Sequence, residues 1–120
     1  MISTAQLNII QMAIGRIKSL RLDLSNEKNT QRQLFDYMRP HGFVREYKLD
    51  EKNIPDFFYD GIAIEVKIKG SKKNIYLQLK RYCEFDQVKA IILITGRSMG
   101  LPSEIIGKPC FYINLTRAYL

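Results

Sequence analysis

The stretch Ile-Pro-Asp-Phe-Phe-Tyr-Asp-Gly-Ile-Ala-Ile-Glu-Val-Lys-Ile-Lys, residues 54–69, predicts two β-strands joined by a tight turn. Asp60-Gly61 separates two extended apolar runs. Asp-Gly is a strong signal for a two-residue type I′ hairpin, because both turn residues need positive φ. Such a turn fixes which residues face each other across the hairpin. From the turn outward, the expected pairs are Tyr59 with Ile62, Phe58 with Ala63, Phe57 with Ile64, and Asp56 with Glu65.

The last of these pairs brings two carboxylates together. Asp56 and Glu65 would be cross-strand neighbours with Cβ atoms roughly 5 Å apart, and like charges so placed destabilise a sheet. Side chains alternate along a strand, so Lys67 shares the face of Glu65. One interpretation is that a divalent cation compensates the charge, since Mg²⁺ is often bound by one or two carboxylates plus phosphate oxygens. The other interpretation is a solvated acidic pair beside an ordinary surface lysine.

Pro55 interrupts the regular register. It would stand opposite Val66, where a backbone N–H normally points at the partner strand, and proline has none. We therefore expect the strands to splay here or the register to shift. A splay beside Asp56 would open space for a ligand at the acidic pair.

Composition favours one basic globular domain, residues 1–120, with 46% apolar residues. Lysine and arginine outnumber aspartate and glutamate by 19 to 12, which gives a net charge of +7. This balance suggests an acidic partner, with nucleic acid first and an anionic membrane second. Together with a candidate metal site, it favours a phosphate-backbone substrate.

Several other classes of site and location find little support. The only cysteines, Cys83 and Cys110, form no Cys-x-x-Cys motif and are expected to be buried thiols, and His41 is the only histidine. A Cys/His zinc site and a Ser-His-Asp hydrolase are therefore disfavoured. The longest apolar run, Ala90 to Ile94, is too short to cross a bilayer, and no secretory signal is recognisable. We expect a cytoplasmic protein without a membrane partner.

Two helices are predicted before the hairpin. From Thr4 to about Leu22, apolar residues recur at helical spacing, which indicates a helix packed on its own domain or, alternatively, a dimerisation helix. Asp23 or Ser25 could cap a second helix that ends near Arg39. Glu27 falls near the buried face of that second helix. An acid there needs a partner or solvent, although the helix dipole alone could account for it.

The remaining elements complete an α/β sandwich, a central mixed β-sheet flanked by helices. We expect a strand over Phe43 to Leu49 and a helix over Lys73 to Asp86. An apolar strand over Lys89 to Thr95 should be central in the sheet. A short helical turn is predicted over Leu101 to Ile106, and a last strand over Cys110 to Leu115.

The predicted helix after the hairpin carries polar and basic residues of interest. Gln78 and Tyr82 lie one turn apart among apolar positions, while the cations of this region are candidates for contacts with backbone phosphates. A solvated basic surface is the alternative for these cations. They are Lys69, Lys72, Lys73, Lys80 and Arg81.

Pro55-Asp56 followed by Glu65-Val66-Lys67 resembles the motif of the PD-(D/E)XK nuclease superfamily, in its E-X-K form. The resemblance spans about residues 25–115, including the order strand, turn, strand, helix and apolar strand. It implies a restriction-endonuclease-like fold and metal-dependent hydrolysis of phosphodiester bonds. In that family the aspartate and glutamate hold Mg²⁺ or Mn²⁺, and the lysine assists catalysis. The carbonyl of Val66 would be a further metal ligand.

Three more positions follow from the resemblance. Many nucleases of the superfamily carry a glutamate on the first core helix that reaches the metal site, and Glu27 matches that position. Gln78-x-x-x-Tyr82 resembles a motif of the RecB-like branch, in which both residues lie close to the active site and the nucleic acid. Gln78 is accordingly added to the predicted catalytic residues Asp56, Glu65 and Lys67, and Tyr82 to the predicted nucleic-acid contacts.

The chain is also similar to stand-alone members such as Holliday-junction resolvases and phage-type VRR-NUC nucleases. That similarity implies a homodimer acting on junction or branched DNA in recombination or repair, with RNA left open as a substrate. Two alternatives remain: a nucleic-acid-binding module that keeps the fold without turnover, and an interaction protein whose charge serves solubility. Divalent-ion dependence separates the nuclease from the binding module.

Overall fold

Residues 2–115, which the computed structural model describes, form one sheet of six strands with three α-helices packed on it. Met1 and residues 116–120 of the predicted 1–120 domain lie outside the described residues. The strands are β1 (Val44–Arg45), β2 (Phe57–Tyr59), β3 (Ile62–Lys67), β4 (Ala90–Thr95), β5 (Glu104–Ile105) and β6 (Lys108–Asn114). The helices are α1 (Thr4–Lys18), α2 (Glu27–Met38) and α3 (Lys72–Cys83), with a short 3₁₀ turn over Arg39–His41.

The sheet is mixed, as the sequence predicts. Its strand order is β1-β2-β3-β4-β6-β5, in which β3, β4 and β6 are parallel and the other pairings are antiparallel. Helix α3 connects the parallel neighbours β3 and β4, because parallel strands need a crossover. Helices α1 and α2 cover one face and α3 covers the other. The α/β sandwich is therefore confirmed.

The predicted hairpin forms with the predicted register. Phe57 pairs with Ile64, and the pairs continue inward to Tyr59 and Ile62. Asp60 and Gly61 adopt φ values of 47° and 81°, as a type I′ turn requires. A Cβ on Gly61 would lie only 2.8 Å from Cγ of Lys89, so glycine is required there for space as well as for backbone conformation.

The two faces of β3 serve different cores. Ile62, Ile64 and Val66 point toward α1 and α2, whereas Ala63 points toward α3. Each fully buried aliphatic side chain of this kind contributes about 1.5–3 kcal/mol. Because its strand is covered on both faces, Glu65 is held inside the sandwich on the α3 side.

Helix α1 uses its apolar stripe within its own chain. Ile10, Ala13 and Ile17 are buried in the same core as the sheet. The interpretation of a helix packed on its own domain is confirmed, and the homodimer remains a prediction without support from this stripe.

Within residues 2–115, no helix combines the length and the apolar character needed to cross a membrane. Cys83 and Cys110 are buried free thiols, as expected.

The predicted helix boundaries need correction. Helix α1 ends at Lys18, before Leu22. Helix α2 is capped by Asn26, whose side-chain oxygen accepts from the backbone N–H of Asn29 at 2.8 Å, and not by Asp23 or Ser25. Asparagine, aspartate and serine are similarly favoured as N-cap residues, so the sequence alone did not distinguish Asn26 from Asp23 and Ser25. Helix α3 runs over Lys72–Cys83 and stops before Asp86.

The predicted strand over Phe43 to Leu49 is wrong beyond its first residues. Glu46 adopts φ 54°, which ends β1 after Arg45, although its backbone N–H still donates to the carbonyl of Asp56 at 2.8 Å in register with the ladder. Tyr47 then stacks on Phe58 with ring centroids 4.5 Å apart. The chain leaves the sheet edge here because the backbone turns at Glu46 and Tyr47 packs its ring on β2.

The helical turn predicted over Leu101 to Ile106 is also wrong. Glu104 and Ile105 instead pair with the start of β6, joined through Ile106 and Gly107 at φ 51° and 74°. The last strand accordingly begins at Lys108, before the predicted Cys110, and ends at Asn114. An isoleucine at positive φ carries no turn signal, because β-branched residues seldom adopt that conformation.

Candidate active site

The acidic pair forms where the regular hairpin pairing stops. Strand pairing ends at Phe57 and Ile64, one position before Asp56 and Glu65. Beyond the last strand pair, side-chain carboxylates accept hydrogen bonds from the backbone of the opposite strand. The backbone N–H of Asp56 donates to Oε1 of Glu65 at 3.2 Å, and that of Val66 donates to Oδ2 of Asp56 at 2.7 Å. A carboxylate thus takes the N–H that would otherwise face Pro55. The splay predicted at this proline is confirmed.

Burial sets the electrostatics of the pair. Glu65 is 3% exposed, and Asp56 is partly buried. The pKa of Glu65 is raised to about 7, first by burial and then by the neighbouring Asp56 carboxylate, against the opposing effect of Lys67. Burial likewise raises the pKa of Asp56 to about 6, although the hydrogen bond from Val66 works in the opposite direction. The two carboxylates therefore hold protons more firmly than exposed acids do.

Lys67 forms an ion pair with Glu65. Its Nζ lies 3.2 Å from Oε2 of Glu65, and its side chain is 24% exposed. The strand alternation predicted this shared face. One lysine cannot neutralise two ionised carboxylates, so above their pKa values the pair carries excess negative charge that a further cation would relieve.

Helix α3 reaches the same carboxylate from above the sheet. Nε2 of Gln78 donates to the hydroxyl of Tyr82 at 2.9 Å, and that hydroxyl donates to Oε1 of Glu65 at 3.2 Å. Burial and the nearby Glu65 raise the pKa of Tyr82, so its hydroxyl stays protonated and acts as a donor. Gln78 and Tyr82 are therefore brought into the site, as predicted.

The role predicted for Tyr82 needs correction. Its side chain is 1% exposed, so a nucleic acid on the surface does not touch it. Tyr82 instead fixes one oxygen of Glu65, while Oε2 of the same carboxylate faces Lys67. It is a positioning residue, and Gln78 orients it.

Glu27 reaches the end of β3 but is engaged there. Its Oε1 accepts from the backbone N–H groups of Ile68 at 3.0 Å and of Lys69 at 3.4 Å. A cavity of about 180 Å³ opens beside it. Glu27 raises the pKa of Asp56 through space, as a contribution smaller than burial. Within residues 2–115, no group of three or more His, Cys, Asp or Glu side chains lies close enough to hold a metal ion. The predicted third carboxylate is thus not assembled with the pair.

The pair itself fits a hard divalent cation. Asp56 and Glu65 offer carboxylate oxygens only, the donor type that Mg²⁺ and Mn²⁺ prefer. Burial, the largest cause, raises the pKa of both groups, so a bound cation would favour their ionised forms. Val66 contributes its backbone N–H to Asp56, and its carbonyl remains a predicted ligand. Two carboxylates completed by water and substrate oxygens match the way Mg²⁺ is usually bound.

The predicted phosphate contacts are all exposed. Arg81 is the one with a described side-chain bond, from Nε to Oδ1 of Asn53 at 3.3 Å. Contact of these residues with DNA stays a prediction. The set comprises Lys69, Lys72, Lys73, Lys80 and Arg81.

Two cations near the site were missed from the sequence. Lys28, next to Glu27, lowers the pKa of Asp56 slightly, so it lies within electrostatic reach of the pair. Arg97 follows β4 and donates to the carbonyl of Gly70, which ties the loop after β4 to the turn after β3. The carboxyl ends of parallel strands meet at one edge, so the parallel pairing of β3 and β4 could have revealed Arg97.

Comparison with known proteins adds no relative: no family model matches the sequence, and no curated protein or solved structure matches the chain.

Proposed function

We propose that the chain is a metal-dependent nuclease that hydrolyses phosphodiester bonds of DNA. The observation that carries the proposal is the buried Asp56–Glu65 pair, bonded reciprocally and flanked by Lys67 and Tyr82. The resemblance of Pro55-Asp56 and Glu65-Val66-Lys67 to the PD-(D/E)XK motif supports it, because the motif residues are the ones that converge.

The pair has little structural justification. Two acids held together inside a sandwich lower the stability of the fold unless they are protonated or bound to a cation. Apolar residues at both positions would close the hairpin without that cost. Strongly perturbed carboxylates with a specific partner are characteristic of functional sites. A role in chemistry therefore accounts for Asp56 and Glu65 better than a role in folding does.

Each residue has a defined part in the proposed reaction. Asp56 and Glu65 would hold Mg²⁺ or Mn²⁺, which when bound polarises a phosphoryl oxygen and lowers the pKa of water. The ammonium of Lys67 stabilises negative charge that develops on the phosphoryl oxygens, and this effect is strong in a partly buried site. Tyr82 holds Glu65 in place through its hydroxyl, and Gln78 orients Tyr82.

The charge distribution supports a nucleic-acid substrate. The chain carries a net charge of +7, and exposed lysines follow β3 and begin α3 close to the acidic pair. Such cations contact phosphates without reading sequence and make binding strongly dependent on salt. Cleavage of junction or branched DNA by a homodimer in the cytoplasm is the finer form of this proposal.

A binding module without turnover is the second candidate. The position of Glu27 favours it, because its Oε1 is bonded to the backbone of Ile68 and Lys69 and no group of three acids within residues 2–115 lies close enough to hold a metal ion. Such a module should bind nucleic acid with an affinity that falls with salt and ignores divalent ions. The two candidate functions therefore differ in whether the protein depends on divalent ions.

The test is cleavage of a substrate panel by purified protein in Mg²⁺ or Mn²⁺. The panel contains duplex, single-stranded, nicked, flap and four-way-junction DNA. Lys67→Ala should lower the cleavage rate about 10²–10³-fold, since it removes charge stabilisation in the transition state. Lys48→Ala is the matched control, because Lys48 is an exposed lysine paired only with the exposed Glu51 at 3.6 Å. A folded wild type that binds the ion and cleaves nothing would favour the binding module.

A further inference from the structure

A second recess lies beside the acidic pair, at the carboxyl ends of β4 and β6. Its volume is about 660 Å³, within the range of small-molecule sites in proteins. Sheet residues form its floor and the loop after β4 forms its wall, with Lys18 reaching over from the end of α1. The floor residues are Leu93, Thr95, Tyr112 and Asn114.

The strand register places this recess next to the carboxylates. Leu93 pairs with Glu65, and Thr95 pairs with Lys67, in the parallel ladder between β4 and β3. Paired residues of neighbouring strands point to the same face, and the strands lie about 4.8 Å apart. The floor therefore begins one strand away from Glu65. Ligands of α/β sheets bind outside the carboxyl ends of the strands, where this recess opens.

The lining combines positive charge with apolar surface. Lys18 and Arg97 are cationic, and none of the described lining residues is acidic. Lys72 adds a third cation, because its Nζ lies 3.9 Å from the position that a Cβ on Gly100 would occupy. Met99 and Leu101, both partly exposed, supply apolar surface. A ligand that matches this lining combines negative charge with an apolar body.

Hydrogen bonds hold the wall of the recess in place. Thr95 donates its hydroxyl to the carbonyl of Arg97 at 2.7 Å, and Arg97 in turn donates to the carbonyl of Gly70. At the other end of the loop, the hydroxyl of Tyr112 donates to the carbonyl of Pro102. The recess is therefore formed before any ligand binds, which lowers the entropic cost of binding.

We propose that this recess takes an unpaired nucleotide adjacent to the bond that is cleaved. The inference rests on the proposed nuclease function and narrows its substrate class. A nucleotide has the phosphate and the flat base that the lining fits. A base inside a duplex is stacked and paired, so it reaches such a recess only when it is flipped out or already single-stranded. The substrate class is DNA that is single-stranded or unpaired at the cleavage site.

Binding is tested without turnover, in metal-free protein. Deoxyadenosine 5′-monophosphate, thymidine 5′-monophosphate and inorganic phosphate are titrated separately while backbone amide signals are followed by NMR. We expect both nucleotides to shift the amides of residues 97–101 and 112, and to bind at least tenfold more tightly than phosphate. Equal affinity for phosphate and nucleotide, or shifts confined to other residues, would overturn the proposal.

Two tryptophan variants of the same segment provide the matched comparison. Ser98→Trp fills the recess from its rim and should weaken nucleotide binding at least tenfold, whereas Ser103→Trp adds the same bulk outside it and should leave binding unchanged. Lys18→Glu, at an exposed position, should weaken binding several-fold even if Ser98→Trp folds poorly. Unchanged nucleotide affinity in folded Ser98→Trp and Lys18→Glu would refute the recess as the site.

A cleavage measurement separates this proposal from the nuclease itself. Lys67→Ala should lose cleavage and keep nucleotide binding, while Ser98→Trp should slow cleavage of single-stranded more than of nicked duplex DNA. If the wild type binds nucleotides in the recess and cleaves nothing, the nuclease proposal fails and the nucleotide site stands. If it cleaves fully paired duplex as fast as single strands, the unpaired-nucleotide proposal fails and the nuclease stands.

Discussion

The two ends of the β2–β3 hairpin differ in how their backbone groups are hydrogen-bonded. At the closed end, Asp60 and Gly61 form the turn that their residue types favour, and the neighbouring pairs are regular. At the open end, the ladder stops at Phe57 and two carboxylates are bonded to backbone N–H groups. The closed end serves folding. At the open end, the buried carboxylates of Asp56 and Glu65 do not stabilise the fold. A catalytic role would explain why they are there.

We expect the largest effect from a substitution at the open end of the hairpin, and we expect it on the cleavage rate. Glu65→Gln keeps the shape of the side chain and removes its negative charge, so cleavage should fall at least about 10³-fold. The fold should persist, because Tyr82 can still donate to the amide oxygen. Rates are compared with those of Asp36→Asn, an exposed acid of α2 that should retain wild-type activity. Wild-type cleavage by Glu65→Gln would remove the site from the mechanism.

The next effect concerns stability and pH in the metal-free protein. The pKa values of Asp56 and Glu65 are raised in the folded state, to about 6 and about 7. The folded state therefore binds protons more tightly than the unfolded chain does. Its stability from this source is present below about pH 4 and is lost as pH rises through 6–7, by on the order of 3 kcal/mol for each carboxyl group.

The measurement is urea unfolding in EDTA between pH 4 and 8. Asp56→Asn should flatten the decline and be more stable than the wild type at pH 8, because one buried charge is gone. Asp36→Asn should follow the wild-type curve. If Asp56→Asn is less stable than the wild type throughout, the acidic pair stabilises the fold and the contrast between the two hairpin ends is lost.

The smallest effect should come from the closed end. Gly61→Ala places a Cβ 2.8 Å from Cγ of Lys89 at a residue whose φ is 81°, so we expect a loss of about 1–2 kcal/mol in the free energy of unfolding. Activity of the folded fraction should be unchanged, as shown by cleavage rates per folded molecule. A specific loss of activity would mean that the turn also shapes the site.

The sequence predicted the parts of the molecule that local chemistry determines. The Asp-Gly turn fixed the register, and the register alone brought Glu65 and Lys67 to one face with Asp56 adjacent. Helical spacing placed Gln78 and Tyr82 on one face of α3, where the structure joins them to Glu65. These inferences needed only turn preferences and the periods of strand and helix.

The failures have tertiary causes. β1 ends before Glu46, whose backbone has φ 54°, and Tyr47 beyond it stacks on Phe58, a residue eleven positions away. The turn through Ile106 and Gly107 has an isoleucine where type I′ turns favour asparagine, aspartate or glycine. Glu27 lies near the site, as predicted, but which N–H groups its carboxylate would take depends on where α2 docks on β3. No periodicity in a sequence specifies such docking.

Binding of a divalent cation by Asp56 and Glu65 together underlies the proposed nuclease. The most direct test is thermal unfolding of the full chain in EDTA and in a series of Mn²⁺ concentrations, for the wild type, Asp56→Asn, Glu65→Gln and the control Asp36→Asn. The wild type and the control should gain about 2.7 kcal/mol at a hundredfold excess over Kd, with a melting temperature that keeps rising with Mn²⁺, while both site variants should show no shift. An equal shift in all four proteins, or no shift in the wild type, would contradict the claim.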